Sequence, residues 1–232
     1  MVQMNYSQVQ KIAKDTIAYA MAEIKPGMNL QDIRRRCEEK MLSLGASSFW
    51  YWDVGAFVFS GDETAKSVSG REYKTSDRLI ADNDIITIDL SPQVGDTWGD
   101  FARTLIVENG SVVQNCSDIQ NTEWKAGLLM EEKLHAEMQR IASPQISFEA
   151  LYYRMNDFIH SNGYINLDFL GNLGHSIVRN KDDRIYIEKG NHAKLGDVSY
   201  FTFEPHISTA GSVFGYKREN IYYFEGTTIR EL

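Results

Sequence analysis

Ile85–Val107, IITIDLSPQVGDTWGDFARTLIV, is the stretch whose reading sets the fold. Two runs rich in β-branched and aromatic residues flank a loop carrying Pro92, Gly95 and Gly99, which is the pattern of an antiparallel hairpin. Asp89 closes the first run and Asp100 opens the second, so pairing of the two strands brings their carboxylates to neighbouring positions. Two carboxylates held that close repel one another unless a cation lies between them.

Outward from the hairpin, apolar side chains at helical intervals predict a helix from Tyr6 to Glu23, stopped by Pro26-Gly27. A second runs from an Asn29 cap toward Leu44. The aromatic and β-branched residues from Phe49 to Ser69 read as sheet that continues to Val107. Further helices are expected from about Ile119 to Ile141 and from Ser147 to His160, and strands return in VSYFTFEPHI and ENIYYFEGTTIREL. Because strands gather in runs rather than alternating with helices, the expected class is α+β with a mostly antiparallel sheet, not a doubly wound parallel one. Helices, sheet, helices, sheet is also the order of two related halves. No repeat, low-complexity tract or linker divides the chain, so residues 1–232 are expected to form a single domain.

The 232 residues are 43% hydrophobic with a formal net charge of −8, an ordinary globular composition that disfavours general affinity for nucleic acid or anionic membranes. Cys37 and Cys116 are far apart and lack metal-ligand spacing; they read as reduced thiols of a cytoplasmic protein. The start, MVQMNYSQVQKIAKDTIAYAM, lacks the basic opening and unbroken apolar core of a signal peptide, and no stretch approaches a membrane span.

Three further candidates join the two aspartates: His175 in NLGHSIVRN, Glu204 in FTFEPHI and Glu219 in KREN. Each has an ordinary reading taken alone. Aspartates at strand ends form turns, a histidine in an apolar glycine-bearing segment is usually hydrogen-bonded structure, and Glu219 in KREN fits a solvated turn, with Glu225 competing for its role. Glu204, between Phe203 and Pro205, is costly to bury without a partner. As a set, four carboxylates and one imidazole suit manganese, iron(II) or cobalt, and admit zinc. About four negative charges balance two divalent ions, so the expected cofactor is a pair of divalent metal ions.

The same residues resemble a known family, the pita-bread metallopeptidases that include methionine aminopeptidase, aminopeptidase P and prolidase. DFART is similar to the D-x-x-R-T of the aminopeptidase P and prolidase branch, GHSI to the family's GHGI, and FTFEPHI to its T-x-E-P-G. KRENIYYFEGTTIREL fits its R-x-E-D, with Glu219 fifteen residues beyond Glu204, which favours Glu219 over Glu225. The resemblance spans almost the whole chain, without the extra N-terminal domain of that branch. It implies a pita-bread fold: two related α+β halves around a curved, mostly antiparallel sheet with helices outside. It also implies that Asp89 chelates one metal, that Asp100 and Glu219 bridge both, and that His175 and Glu204 complete the coordination of the second ion. The implied activity is amide hydrolysis by attack of a metal-bridging water, with Glu204 carrying the proton to the leaving nitrogen.

The chain departs from the family where substrate is handled. Glu72, before Tyr73, stands where the family has a histidine before a tyrosine, and Asp182 stands where a second histidine follows His175 by seven residues. Lys217 replaces the arginine of R-x-E, with Arg218 adjacent. Glu72, Tyr73 and Asp182 are therefore expected to touch substrate, and their charge suggests a cationic or amine-bearing group. A dipeptide or small amino-acid derivative is the expected partner. The alternatives are a pita-bread binding protein without turnover and a non-peptidase C–N hydrolase. The consecutive aromatics Phe49-Trp50-Tyr51-Trp52 line a pocket, fill a core or form a homodimer contact, three readings the sequence leaves open.

Overall fold

The computed structural model describes residues 4–232, so Met1–Gln3, the start of the segment read as lacking a signal peptide, lie outside the described residues. Helix α1, Tyr6–Glu23, opens with a reciprocal cap: the Asn5 side chain accepts from the Gln8 amide while the Gln8 side chain accepts from the Asn5 amide, each at 2.9 Å. Helix α2, Leu30–Ser43, is capped by Asn29 as its sequence implies. The first half then adds strands β1 (Ser48–Phe49), β2 (Ala56–Ser60), β3 (Asp84–Leu90), β4 (Pro92–Val94), β5 (Thr97–Trp98), β6 (Phe101–Glu108) and β7 (Ser111–Val112). The second repeats the plan with α3 (Thr122–Ile141), α4 (Phe148–Ser161), β8 (Tyr164–Asn166), β9 (Ser176–Ile177), β10 (Tyr200–Phe203), β11 (His206–Thr209), β12 (Tyr216–Lys217), β13 (Asn220–Glu225) and β14 (Thr228–Glu231).

Strand pairing is antiparallel in four sheets, ordered β2-β3-β6-β7, β1-β4-β5, β14-β13-β10-β9 and β12-β11-β8. The β3–β6 ladder is the expected hairpin, with Asp89 opposite Ala102 and Leu90 opposite Phe101. Its connection is more than a loop, because β4 and β5 fold back as a small hairpin whose first strand pairs with β1. The Phe49–Ser69 block is also less regular than expected: Trp52 and Asp53 both take left-handed backbone, with φ of 56° and 57°, and a 3-10 turn spans Gly61–Ala65. Helix α3 begins at Thr122, three residues after the expected start. The Glu108 carboxylate accepts the Gln120 and Asn121 amides at 2.8 Å and Asn121 caps the helix, which together hold that segment out of helical geometry.

Both faces of the β3–β6 ladder are covered, which explains the near-continuous apolar run in IITI. Ile86 and Ile88 pack with Ile12, Ile17, Leu30 and Met41 under α1 and α2. Ile85 and Ile106 on the other face join Leu134, Phe148, Leu151, Phe201 and Phe203 of the second half. Each such side chain fully removed from water contributes about 1.5–3 kcal/mol, so the shared ladder ties the two helical layers into one packed body. Cys37 and Cys116 are free thiols, and no helix among the described residues is long and apolar enough to cross a membrane.

Candidate metal centre

The two halves meet at a cavity of about 140 Å³ lined by Asp89, Asp100, His175 and Glu204 together with Trp50, Tyr51, Arg184, Tyr186 and Lys217. Glu219 lies beneath it, fully buried, because its amide donates to the Ala102 carbonyl at 3.0 Å in an isolated bridge between the halves. Glu225, the competing glutamate, is exposed at the end of β13 and pairs with Arg230 at 3.0 Å.

Each side chain is placed by its own backbone support. The Asp100 peptide is clamped by Gln10 of α1, whose amide group donates to the Asp100 carbonyl at 2.7 Å and accepts the Asp100 N–H at 3.0 Å. Trp50 Nε1 donates to the neighbouring Gly99 carbonyl at 2.9 Å. His175 hangs between β9 and β10: its amide donates to Thr202 Oγ1 at 3.0 Å, and its carbonyl accepts the Thr202 amide at 2.7 Å. Trp50, Trp98 and Tyr186 surround the imidazole at ring-centre distances of 5.7, 5.8 and 5.9 Å. The DFART motif ties the far strand in place. Arg103 donates to the Glu219 carbonyl at 2.8 Å and to Asn220 Oδ1 at 2.7 Å, and Thr104 Oγ1 accepts the Lys217 amide at 2.8 Å.

Asp100, His175 and Glu219 each offer a ligand atom within 4.8 Å of the others. His175 Nε2 stands 3.5 Å from Asp100 Oδ2 and 3.6 Å from Glu204 Oε1. Neither carboxylate oxygen of Glu219 has a hydrogen-bond partner among the described residues, a costly state for a buried carboxylate. Two carboxylates and an imidazole with such an orphan fit a divalent ion of the manganese, iron, cobalt and zinc group. Asp89 and Glu204 lie outside this three-residue group. Both instead hold Lys217, whose Nζ is 2.5 Å from Asp89 Oδ2 and 3.2 Å from Glu204 Oε2.

The electrostatics follow from crowding and burial. Burial and then the charges of Asp100, Glu204 and Asp89 push the Glu219 carboxyl well above its ordinary value. Burial raises Asp89 even beside Lys217, and raises Asp100 to about 6. For Glu204 burial works upward too, but Lys217 and His175 bring it below the usual value and keep it ionised. A cation among Asp100, His175 and Glu219 would offset the burial and like charge that push the Glu219 carboxyl upward.

The three expected substrate contacts lie elsewhere. Glu72 and Asp182 are exposed, and Tyr73 is buried with its hydroxyl on the Val58 backbone at 2.8 Å; none of them lines the cavity. The argument for a cationic substrate from Glu72 and Asp182 loses its footing, because side chains in solvent do not set the charge of the pocket. Arg184, two residues past Asp182, lines the cavity instead, with its guanidinium 4.6 Å from the Trp50 ring centre and 5.6 Å from that of Tyr186. Of the four aromatics, Trp50 and Tyr51 line the cavity, Phe49 packs against the first core, and Trp52 is half exposed under Arg71. The alternating RIYI was the only sequence signal for Arg184; nothing local marked Gln10.

Residues 5–225 match the model of metallopeptidase family M24. No curated protein matches the chain. Among solved structures, the X-Pro aminopeptidase of Thermotoga maritima is similar at a TM-score of 0.78 and 21% identity over 97% of this chain. The prolidase of Pyrococcus horikoshii gives 0.76 and 19% over 97%. The chain spans 59% and 60% of those two proteins' lengths. The methionine aminopeptidase of Thermotoga maritima gives 0.72 and 16%, covering 100% of this chain and 98% of its own. These likenesses agree with the pita-bread fold expected from the motifs.

Proposed function

The chain belongs to metallopeptidase family M24, and from that premise we propose that it is a divalent-metal hydrolase cleaving the amide or related C–N bond of a small substrate. The observation that carries the reading is the convergence of Asp100, His175 and Glu219 beside a cavity, with both Glu219 oxygens unpartnered. A divalent ion bound there supplies Lewis acidity toward a carbonyl and toward water.

The chain's own groups do the rest. Glu204, ionised under the influence of Lys217 and 3.6 Å from His175, is placed to accept a proton from water and pass it to the departing nitrogen. Trp50 and Tyr51 form an apolar wall that excludes water, and Arg184 beside them meets a carboxylate on the substrate. This favours a dipeptide or N-acylated amino acid over a long peptide or a cationic amine. A pair of ions would add Asp89 on one side and Glu204 on the other, and Lys217 contacts one oxygen of each, Asp89 Oδ2 and Glu204 Oε2.

Purified chain reconstituted separately with Mn²⁺, Co²⁺, Fe²⁺ and Zn²⁺ should hydrolyse members of a panel of X-Pro dipeptides, other dipeptides and N-acyl amino acids. Glu204→Gln should lower the rate by about 10²- to 10⁴-fold while metal content is retained. Binding of panel members without turnover by any metal form would replace the hydrolase by a binding protein on the same fold.

A further inference from the structure

His206 is an imidazole with one nitrogen committed and the other free. The residue is 6% exposed on β11 and lines the cavity two residues past Glu204, at the place where T-x-E-P-G has its glycine. Its Nε2 lies 2.7 Å from the Thr64 carbonyl oxygen, which can only accept, so the ring proton is on Nε2. A metal ion at His175 and the ammonium of Lys217, its ladder neighbour, both oppose a second ring proton. Nδ1 is therefore a lone-pair acceptor, and it has no hydrogen-bond partner among the described residues.

That orientation is built by residues far apart in the chain. Thr64 is fully buried in the 3-10 turn of the first half; its hydroxyl donates to the Gly61 carbonyl at 2.6 Å and accepts the Gly215 amide at 3.0 Å. Gly215 supplies the room. A Cβ there would stand 2.3 Å from the Thr64 carbonyl oxygen and 2.7 Å from His206 Nε2, so the imidazole reaches its carbonyl only past a residue without a side chain.

Asp168 gives the cavity a second acceptor. In the β8–β11 ladder the Leu167 amide donates to the His206 carbonyl at 2.7 Å, which places Asp168 directly after the residue facing His206, and Asp168 too lines the cavity. Its Oδ1 accepts the Leu170 and Asn172 amides at 2.9 and 3.1 Å, while Oδ2 has no hydrogen-bond partner among the described residues. A carboxylate oxygen and an imidazole lone pair together suit a donor that carries several protons and a positive charge.

We infer that His206 Nδ1 and Asp168 Oδ2 form a subsite for the protonated amine of the substrate. The inference rests on the metal-hydrolase reading and narrows it. Of the two substrate kinds that suit Arg184, the dipeptide with its free ammonium is preferred to the N-acylated amino acid, and side chains of this chain, not the metal, select the amine.

The test compares dipeptides with desamino analogues that differ only in the ammonium, alanyl-proline with propionyl-proline and alanyl-leucine with propionyl-leucine, on the full chain loaded with Mn²⁺. The native protein should show a KM at least about tenfold lower for the dipeptide of a pair. His206→Gln keeps a donor for the Thr64 carbonyl but has no acceptor at the Nδ1 position, and Asp168→Asn keeps Oδ1 for its two amides but loses the charge. Each should raise the dipeptide KM by about 10- to 100-fold with kcat within threefold, and leave the analogue's KM and the metal content unchanged. Circular dichroism checks folding, and Asp168→Asn carries the test if His206→Gln does not fold. Should the native chain turn over neither compound, calorimetric dissociation constants make the same comparison, so failure of the hydrolase reading is seen separately. No preference for the amine in the native protein, equal shifts for both compounds of a pair, or a preference that survives both substitutions each overturns the inference; the last would put the amine on the metal.

Discussion

Replacing Gly174 with alanine tests whether backbone packing, more than any side-chain contact, positions His175. Gly174 has φ +140°, and a Cβ built there would stand 2.3 Å from the Thr202 carbonyl oxygen and 2.9 Å from its carbon. Real Cβ contacts stay beyond 3.0 Å, so the chain around His175 has to retreat from β10 by about 0.7 Å. Strand β10 cannot yield easily: Thr202 is hydrogen-bonded to both the amide and the carbonyl of His175, and Phe201 and Phe203 beside it are fully buried. A metal position tolerates errors of about 0.2 Å, so the displacement exceeds the tolerance several-fold. The expected loss of stability is about 2–5 kcal/mol, combining roughly 1–2 for the backbone conformation and 1–3 for overpacking. In a chain of this size that lowers Tm by about 4–20 °C. Affinity for Mn²⁺ should fall about 10- to 100-fold. Thermal melts with and without Mn²⁺, with titration calorimetry for affinity, measure both effects. Gly171→Ala is the control on the same loop: φ is +77° but nothing lies within 4 Å, so it should cost about 1 kcal/mol and leave metal affinity alone. A Gly174→Ala protein that melts like the control and binds Mn²⁺ like the native chain would refute the reasoning.

Glu131, buried on α3 with the Thr104 hydroxyl donating to it at 2.7 Å, has its carboxyl pushed up to about 7 by burial. A raised folded value favours the protonated form, so the contribution is full below about pH 4.5 and is lost as pH rises through 7, on the order of 3 kcal/mol. Urea melts should find Glu131→Gln more stable than native at pH 8 and equal near pH 4; a difference independent of pH would rule this out. Arg184→Ala should raise KM for substrates bearing a carboxylate by about tenfold or more with kcat within threefold, and leave their neutral amide analogues unaffected. Equal KM changes for both sets would remove Arg184 from carboxylate recognition. Glu108→Gln should loosen the entry to α3, speeding hydrogen exchange at residues 119–125 and costing about 1–3 kcal/mol, without changing metal content. Unaltered exchange there would show that Asn121 alone holds the cap.

Helices were legible where the controlling interactions are local. Asn5 and Gln8, three residues apart, cap α1, and Asn29 caps α2, so those boundaries fall where the residues indicate. The start of α3 did not, because it depends on Glu108 reaching across from β6. The Phe49–Ser69 block read as sheet because its aromatic and branched residues suit a strand. Several of them serve instead as walls of the cavity and of the cores, which composition does not distinguish from a ladder. Glu219 was selected over Glu225 by its place in a motif, and the β6 bridge at Ala102 is the contact that sets it beneath the cavity.

By itself the sequence determined the α+β class, the β3–β6 pairing and the residue types available for a metal, since hydrophobic periodicity and turn chemistry act within a few residues of the chain. Tertiary structure decided how those residues are shared out. Lys217 is 128 positions from Asp89, and Gln10 is 90 from Asp100; their meeting depends on how two packed halves close on one another. Charges in a buried pocket act over a few ångströms of space, not of sequence, so which carboxylates gather beside His175 and which also meet a lysine becomes visible only once the halves are docked.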